Sequence, residues 1–262
     1  MGLKQSILGT MRLFGVDPVR GRSTLLNLPR FLREETEFKQ RSKREGCDIA
    51  IGARYPILTD FADSAGTASG HYFHMDLWAA RRIYQAQPDR HVDIGSRVDG
   101  FIAHLLTFRE VEVLDIRPLD SQVEGLKFVR GDATTLSEIG DGAWTSISCL
   151  HAAEHFGLGR YGDPLDPWAY RKLMSALSRV LAPGGRLYFA VPIGKERVEF
   201  NAHRVFDPRR IVTEFPALTL LAFSAVNDDG SFSADVQPTD YVQADHACGL
   251  FEFTKPAVSE PS

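Results

Sequence analysis

Three aspartates are placed where three predicted strands end. Asp93 lies in the first apolar run, Asp115 closes the second, 22 residues further on, and Asp132 follows the third. Ligands of an open parallel sheet bind beyond the carboxyl ends of its strands, where an acid can accept hydrogen bonds from a ribose or an adenine. A loop cap is the simpler explanation of any one acid, but three in register favour a nucleoside pocket.

A loop with two glycines, Gly95 and Gly100, follows the first strand. Glycine at these positions lets the backbone approach a ligand and directs helix N–H groups at an anion. The loop also carries two charged residues, Arg97 and Asp99, and Arg97 could pair with a carboxylate. The missing G-x-G-x-x-G turn disfavours a nicotinamide-dependent dehydrogenase.

The fourth predicted strand leads into the sequence His151-Ala152-Ala153-Glu154-His155. This is the H-x-x-E-H pattern of one class of zinc hydrolases, in which both histidines bind the metal. That class needs the pattern on a helix, whereas here it follows a buried strand. A zinc hydrolase is therefore a remote alternative, and we predict no metal.

Two histidines are candidates for a general base, because imidazole titrates near neutral pH. His155 follows the fourth strand, and His203 follows the fifth, flanked by Asn201 and Arg204. We favour His203, since these neighbours could orient the hydroxyls or the charge of a substrate. A purely structural role, as a helix cap or a hydrogen-bonded group, is the alternative for each histidine.

Strands and helices alternate along most of the chain, which predicts a parallel sheet covered by helices on both faces. Before the fifth strand, Pro183-Gly184-Gly185 ends a helix and reverses the chain. Two later apolar runs, residues 218–225 and 250–253, predict a closing antiparallel pair. The predicted fold class is α/β, with a doubly wound, mostly parallel, Rossmann-like sheet of seven strands. The predicted parallel strands are residues 92–94, 111–115, 126–129, 145–150 and 186–191, and the predicted helices are residues 25–43, 74–85, 101–107 and 167–181.

This order of strands, acidic strand ends and Pro-Gly-Gly turn resembles the class I S-adenosylmethionine-dependent methyltransferases over roughly residues 88–253. The resemblance is to an uncharacterised branch, and it implies S-adenosyl-L-methionine as cofactor and O-methylation of a small molecule or glycan hydroxyl. A non-catalytic binding or scaffold protein is the alternative, because Arg97 and Asp99 stand where the family has glycines. The resemblance assigns cofactor binding to Asp93, Gly95, Ser96, Arg97, Asp115, Ile116, Asp132, Ala133, Leu150 and His151.

The sequence predicts a helical N-terminal segment (1–75) that forms a lid, a methyltransferase-like domain (76–256) and a disordered tail (257–262). Residues 1–50 carry a net charge of +4 and the remainder −8, which argues against a nucleic-acid substrate. The basic segment could contact an anionic membrane weakly, although a solvated helical arm is the simpler interpretation. No apolar run is long enough to span a membrane, and three separated cysteines suit a reducing cytoplasm.

Overall fold

The computed structural model describes residues 18–62 and 64–257. Residues 1–17 of the predicted lid and residues 258–262 of the predicted tail lie outside the described residues. A division between Thr67 and Ala68 separates two compact units. Among the described residues, no helix has both the length and the apolar character to cross a bilayer.

The first unit contains one long helix, α1 (Pro18–Glu45), and a short 3-10 helix (Asp60–Ala62). The helix includes the whole of the predicted helix 25–43. Its charged side chains pair at i, i+4 spacing, with N–O distances of 2.7, 2.8 and 2.6 Å for Arg30–Glu34, Lys39–Glu35 and Arg41–Glu37. Each exposed pair of this kind contributes a few tenths of a kcal/mol, on the order of 0.3.

The second unit is built on an eight-stranded sheet, and its class is the predicted α/β one. Strands β1 to β5 are parallel, and the strand order is β3-β2-β1-β4-β5-β10-β8-β9. Strand β10 runs antiparallel to both its neighbours, as the predicted closing pair requires. The eighth strand, β9, has only two residues and was not predicted. The strands are β1 (His91–Ile94), β2 (Val111–Asp115), β3 (Leu126–Arg130), β4 (Trp144–Leu150), β5 (Leu181–Ile193), β8 (Thr219–Val226), β9 (Phe232–Ser233) and β10 (Ala247–Thr254), with β6 (Arg197–Glu199) and β7 (His203–Val205) in a separate hairpin.

Helices cover both faces of this sheet, and each face has its own apolar layer. Along β5 the side chains alternate between the layers: Phe189 and Val191 pack with helix α4, whereas Tyr188 and Ala190 pack with helix α2. Burial on both faces is the property that defines a doubly wound sheet. The helices are α2 (His71–Ala86), a π-helical turn (Val98–Ile102) that runs into α3 (Ala103–Leu106), α4 (Ala169–Val180) and α5 (Pro208–Glu214).

The Pro-Gly-Gly turn follows α4 directly, as predicted, but it is a bulge within β5 and not a separate loop. Leu181 pairs with Trp144 and Arg186 with Ser146, so the intervening residues bulge out of the ladder. Gly184 has a φ of +73°, and a Cβ on Gly185 would lie 2.9 Å from the Ala182 carbonyl oxygen. Gly184 is therefore favoured by its positive φ, and Gly185 because a side chain there would collide with the backbone.

Candidate functional site

A cleft opens where the carboxyl ends of β1, β2, β3 and β4 meet. Its walls combine apolar side chains, including Ile94, Leu114 and Phe156, with acids, arginines and histidines. This is the edge of an open α/β sheet at which ligands bind. Of the residues assigned to a site by sequence, Gly95, Arg97, Asp115, Ile116, Asp132, Ala133, His151 and His155 line the cleft.

Three of the predicted cofactor-binding residues lie beneath the cleft and do not line it. Asp93, Ser96 and Leu150 are at most 2% exposed. The Asp93 carboxylate accepts hydrogen bonds from the Ser96 backbone N–H (2.9 Å), from the Ser96 hydroxyl (2.6 Å) and from the Ser148 hydroxyl. The Leu150 N–H donates in turn to the Ser96 hydroxyl oxygen at 3.1 Å. These contacts join the ends of β1 and β4, so the residues position the loop 95–100 from below.

A buried histidine extends this arrangement away from the cleft. Because the Ser148 hydroxyl donates to Asp93, it must accept from His91 Nε2–H, 2.9 Å away, and His91 Nδ1 then accepts from the Ser146 hydroxyl at 2.8 Å. Burial lowers the pKa of His91 to about 3 and raises that of Asp93 to about 6. We call the side chains of His91, Asp93, Ser96, Ser146 and Ser148 the buried network.

Asp115, to which the resemblance assigns the ribose, is already paired with Arg117. Its carboxylate accepts from the Arg117 backbone N–H (2.8 Å), Nε (3.0 Å) and Nη2 (2.5 Å). The guanidinium also lies 4.8 Å from the centre of the Tyr161 ring. The Arg117 side chain is 43% exposed and that of Asp115 only 10%, so a ribose reaches Asp115 only if the arginine moves aside.

Asp132 also lines the cleft, and it is a loop cap as well. Its Oδ1 accepts from the backbone N–H of Thr134 at 2.8 Å and from the Thr134 hydroxyl. Asp132 can therefore cap the loop and also line a ligand pocket. The cap fixes the turn that places Ala133 in the cleft wall.

The two charged residues of the glycine loop pair with each other. Arg97 donates to Asp99 from Nε (3.1 Å) and Nη2 (2.9 Å), and its guanidinium lies 4.7 Å from the centre of the Tyr72 ring. Asp99 is 75% exposed and does not line the cleft, whereas Arg97 and Tyr72 do. Of these two departures from the family pattern, only Arg97 changes the cleft itself.

Helix α2 contributes an acid that sequence reasoning missed. Asp76 is 5% exposed, and a Cβ on Gly100 would lie 2.5 Å from its Oδ2. Burial raises the pKa of Asp76 to about 6, and its Oδ1 has no hydrogen-bond partner in the described part of the chain. The sequence places Asp76 in the predicted helix 74–85 and assigns it no role. Gly100 is needed because this carboxylate occupies the space of a side chain.

Four histidines form a row that begins at the cleft wall. The ring centres of His151 and His71 are 5.2 Å apart, those of His71 and His246 are 5.2 Å apart, and those of His246 and His203 are 5.0 Å apart. Burial, together with the neighbouring His151 and His246, lowers the pKa of His71 to about 4. His71 is therefore neutral at pH 7.

The two candidate bases are placed differently. His203 lies at the far end of the histidine row, with its Nε2 3.2 Å from His246 Nε2 and 3.2 Å from Glu199 Oε2. It does not line the cleft, whereas His155 does. His155 Nδ1–H donates to the Ala202 carbonyl at 2.7 Å, its Nε2 lies 3.8 Å from Glu154 Oε1, and burial lowers its pKa.

His151 and Glu154 form a buried ion pair, 2.7 Å apart. Burial opposes both charges, but the Cys248 sulfur and the Glu154 carboxylate raise the pKa of His151, and His151 lowers that of Glu154. His151 has a φ of +51°, and the next residues form only a 3-10 turn (Ala153–His155). The H-x-x-E-H pattern is thus not on an α-helix, which removes the geometry that a zinc hydrolase needs.

Comparison with known proteins supports the architecture and leaves the reaction open. Residues 141–245 match the model of a family described as DUF268, Caenorhabditis protein of unknown function. None of the curated proteins that were compared matches the chain.

The solved structures include a putative sarcosine dimethylglycine methyltransferase from Galdieria sulphuraria, 13% identical, with a TM-score of 0.50 over 70% of this chain and 86% of that one. The chain has the methyltransferase fold. A 4+2 cyclase, SpnF, is equally similar, at 13% identity and a TM-score of 0.50 over 70% and 81% of the two chains. The fold is therefore shared by proteins with different activities, and it does not fix the reaction.

Proposed function

We propose that this chain binds S-adenosylmethionine in the cleft and transfers its methyl group to a hydroxyl of a small molecule or sugar. The observation that carries the proposal is the meeting of Gly95, Asp115 and Asp132 in one cleft at the carboxyl ends of β1, β2 and β3. A glycine followed by acids at successive strand ends suits a nucleoside.

The cleft walls fit the parts of this cofactor. Gly95 has a φ of +70°, and a Cβ there would lie 3.1 Å from the Ala152 Cβ, so both the backbone angle and the close packing on Ala152 favour glycine at this edge of the cleft. Asp115 would accept hydrogen bonds from the ribose hydroxyls once Arg117 moves, and Asp132 would face the adenine. Arg97 offers a guanidinium for the α-carboxylate, which a glycine in its place could not provide.

The bound cofactor supplies an electrophilic methyl group on a sulfonium. In the transfer, the acceptor oxygen forms a bond to that carbon, the carbon–sulfur bond breaks, and its electron pair stays on sulfur. The acceptor proton must go to a base, and alignment supplies much of the rate. His155 is the better placed base, because it lines the cleft and its Nδ1–H bond to the Ala202 carbonyl leaves Nε2 as the unprotonated nitrogen. The earlier choice of His203 would need an acceptor that extends along the histidine row.

A specific observation supports the alternative of a non-catalytic binding protein. Arg117 occupies the Asp115 carboxylate with contacts from both its backbone and its guanidinium. If that pair persists in solution, the ribose site is blocked.

Calorimetric titration with S-adenosylhomocysteine tests the proposal. We expect binding to the wild-type chain, and a loss of about ten- to a hundredfold in affinity in Asp115→Ala, because hydrogen bonds to a charged acceptor disappear. Asp120→Ala is the matched control, since this exposed aspartate lies in the same loop outside the cleft. No binding by the wild type, or equal affinity in Asp115→Ala, would reject the assignment, and tighter binding of NAD would point to a dehydrogenase.

A further inference from the structure

Three side chains that bind transition metals meet beside the cleft, from three separate elements. His71 begins α2, His151 follows β4, and Cys248 lies in β10. One nitrogen of each histidine and the Cys248 sulfur all lie within 4.8 Å of one another, and no other such group occurs among the residues that the structure describes.

Both histidines already have the outer partners that metal-binding histidines use. His71 Nε2–H donates to the His246 carbonyl oxygen at 3.0 Å, which leaves Nδ1 as the free nitrogen. His151 Nδ1–H donates to Glu154 Oε1 at 2.7 Å, which leaves Nε2. Metal-binding histidines almost always donate the second ring N–H to a carbonyl or a carboxylate, since this fixes the ring and makes the ligand nitrogen more basic.

The second ring nitrogen of His151 is buried beside the Cys248 sulfur. The His151 side chain is only 6% exposed, and Nε2 is buried without a hydrogen-bond partner in the described part of the chain. A buried polar atom left unpaired costs about 1–3 kcal/mol, so such atoms point to a missing partner. The Cys248 sulfur faces this nitrogen as a weak partner, and an ion held jointly by His71, His151 and Cys248 would pair it fully.

We propose that His71, His151 and Cys248 bind a divalent transition-metal ion of the zinc type. Two imidazoles and a thiolate suit Zn²⁺ and not Mg²⁺ or Ca²⁺, which prefer oxygen ligands. Ligand bonds of about 2.0–2.3 Å require the three atoms to approach to roughly 3.3–3.8 Å. Binding displaces the thiol proton and the proton on His151 Nε2.

Three protein ligands leave a fourth position for water or a substrate atom, as in catalytic zinc sites. His151 lines the cleft, so this position belongs to the same region as the proposed cofactor site. The metal site itself does not depend on methyl transfer. It also differs from the H-x-x-E-H arrangement, because His155 takes no part, and it revises our prediction of no metal, which considered only His151 with His155.

Titration of the metal-free full-length chain with Co²⁺ tests the proposal, because cobalt bound to a thiolate gives a charge-transfer absorption. We expect one equivalent to bind with that absorption, and purified protein to carry about one zinc by elemental analysis. Cys248→Ser should lose the absorption and weaken cobalt binding by more than about a hundredfold. Loss of a residue that only hydrogen-bonds to a metal ligand already weakens binding by about ten- to a hundredfold. Glu154→Gln should weaken binding by about ten- to a hundredfold.

The matched controls are Cys47→Ser, at an exposed cysteine, and Cys149→Ser, at a buried one; both should keep the absorption. His155→Ala should keep one bound cobalt, and loss of it there would favour the H-x-x-E-H site instead. If circular dichroism shows that Cys248→Ser is misfolded, His71→Gln takes its place. Failure of the wild-type chain to bind an equivalent of Co²⁺ or Zn²⁺, or binding unchanged in His71→Gln, would overturn the proposal, while S-adenosylhomocysteine titration reports separately on the cofactor site.

Discussion

Two groups of buried polar side chains lie close to the cleft, and they differ in how completely they are hydrogen-bonded. In the buried network beneath β1, Asp93, His91 and the serines all have partners. Seven buried side-chain atoms have no hydrogen-bond partner in the described part of the chain, and three of them, Asp76 Oδ1, His151 Nε2 and Glu154 Oε2, belong to residues close to the cleft. We call these three residues the unsatisfied cluster.

The difference concerns how the two groups contribute to stability and to binding. A fully paired network fixes one arrangement of strands, because each lost contact leaves an unpaired atom in a medium of low dielectric constant. Unpaired buried atoms reduce stability, and proteins keep them mainly where binding or chemistry needs them. The buried network therefore positions the loop 95–100, and the unsatisfied cluster belongs to the site.

The largest effect is expected in the buried network. Ser148→Ala removes the donor to Asp93 and the acceptor of His91 Nε2–H, and should lower the free energy of unfolding by about 2–4 kcal/mol. Ser146→Ala removes only the hydrogen bond to His91 Nδ1 and should cost about 1–2 kcal/mol. Urea denaturation measures both. Equal losses of unfolding free energy in the two variants would mean that Ser148 does not link Asp93 to His91.

The free energy of unfolding should depend on pH through Asp76, a member of the unsatisfied cluster. Its pKa in the fold is raised to about 6, so its contribution to stability is fully present below pH 4 and is lost as the pH rises through 6. Asp76→Asn stays neutral and should gain about 1–3 kcal/mol relative to wild type between pH 4 and pH 7. Asp120→Asn, at an exposed site, should show no such gain. A constant difference across this range would show that Asp76 is solvated or paired in solution.

The smallest effect concerns the pair that covers the ribose site. Arg117→Ala should raise the affinity for S-adenosylhomocysteine by up to about fivefold, because an exposed ion pair is worth at most about 1 kcal/mol. Arg90→Ala breaks a similar pair with Glu112, which does not line the cleft, and should leave the affinity unchanged. A loss of affinity in Arg117→Ala would mean that this arginine binds the cofactor itself.

The fold could be predicted because its signals are local. Apolar runs bounded by glycine and proline located the strands, and the end of helix α4 was recognisable because proline and glycine each have a steric reason to be there. That the Pro-Gly-Gly segment is a bulge inside β5 and not a turn was not predictable from these residues. The short strands β6, β7 and β9 were not predicted, since two or three residues carry no periodicity. The acids at the strand ends were found in the same way, and both Asp115 and Asp132 lie in the cleft.

Side-chain burial in the site was less predictable. The resemblance assigns Asp93 and Ser96 to the cofactor, yet their side chains hydrogen-bond to each other and to the end of β4 beneath the cleft. Arg117 lies two residues from Asp115, but nothing in that spacing shows that the guanidinium folds back onto the carboxylate. Asp76 looks like a polar residue on a helix surface until its helix packs on Gly100.

The sequence by itself determined the elements, their order and the acids that end the parallel strands, because these depend on residues that are neighbours along the chain. The tertiary structure alone decided which distant side chains meet. His71 contacts His246, which is 175 positions away in the sequence. Cys248 lies near them because β10 pairs with β5 and the Cys248 side chain lies on the face of the sheet that α2 covers. No periodicity encodes such a meeting, since it follows from strand order and helix packing together.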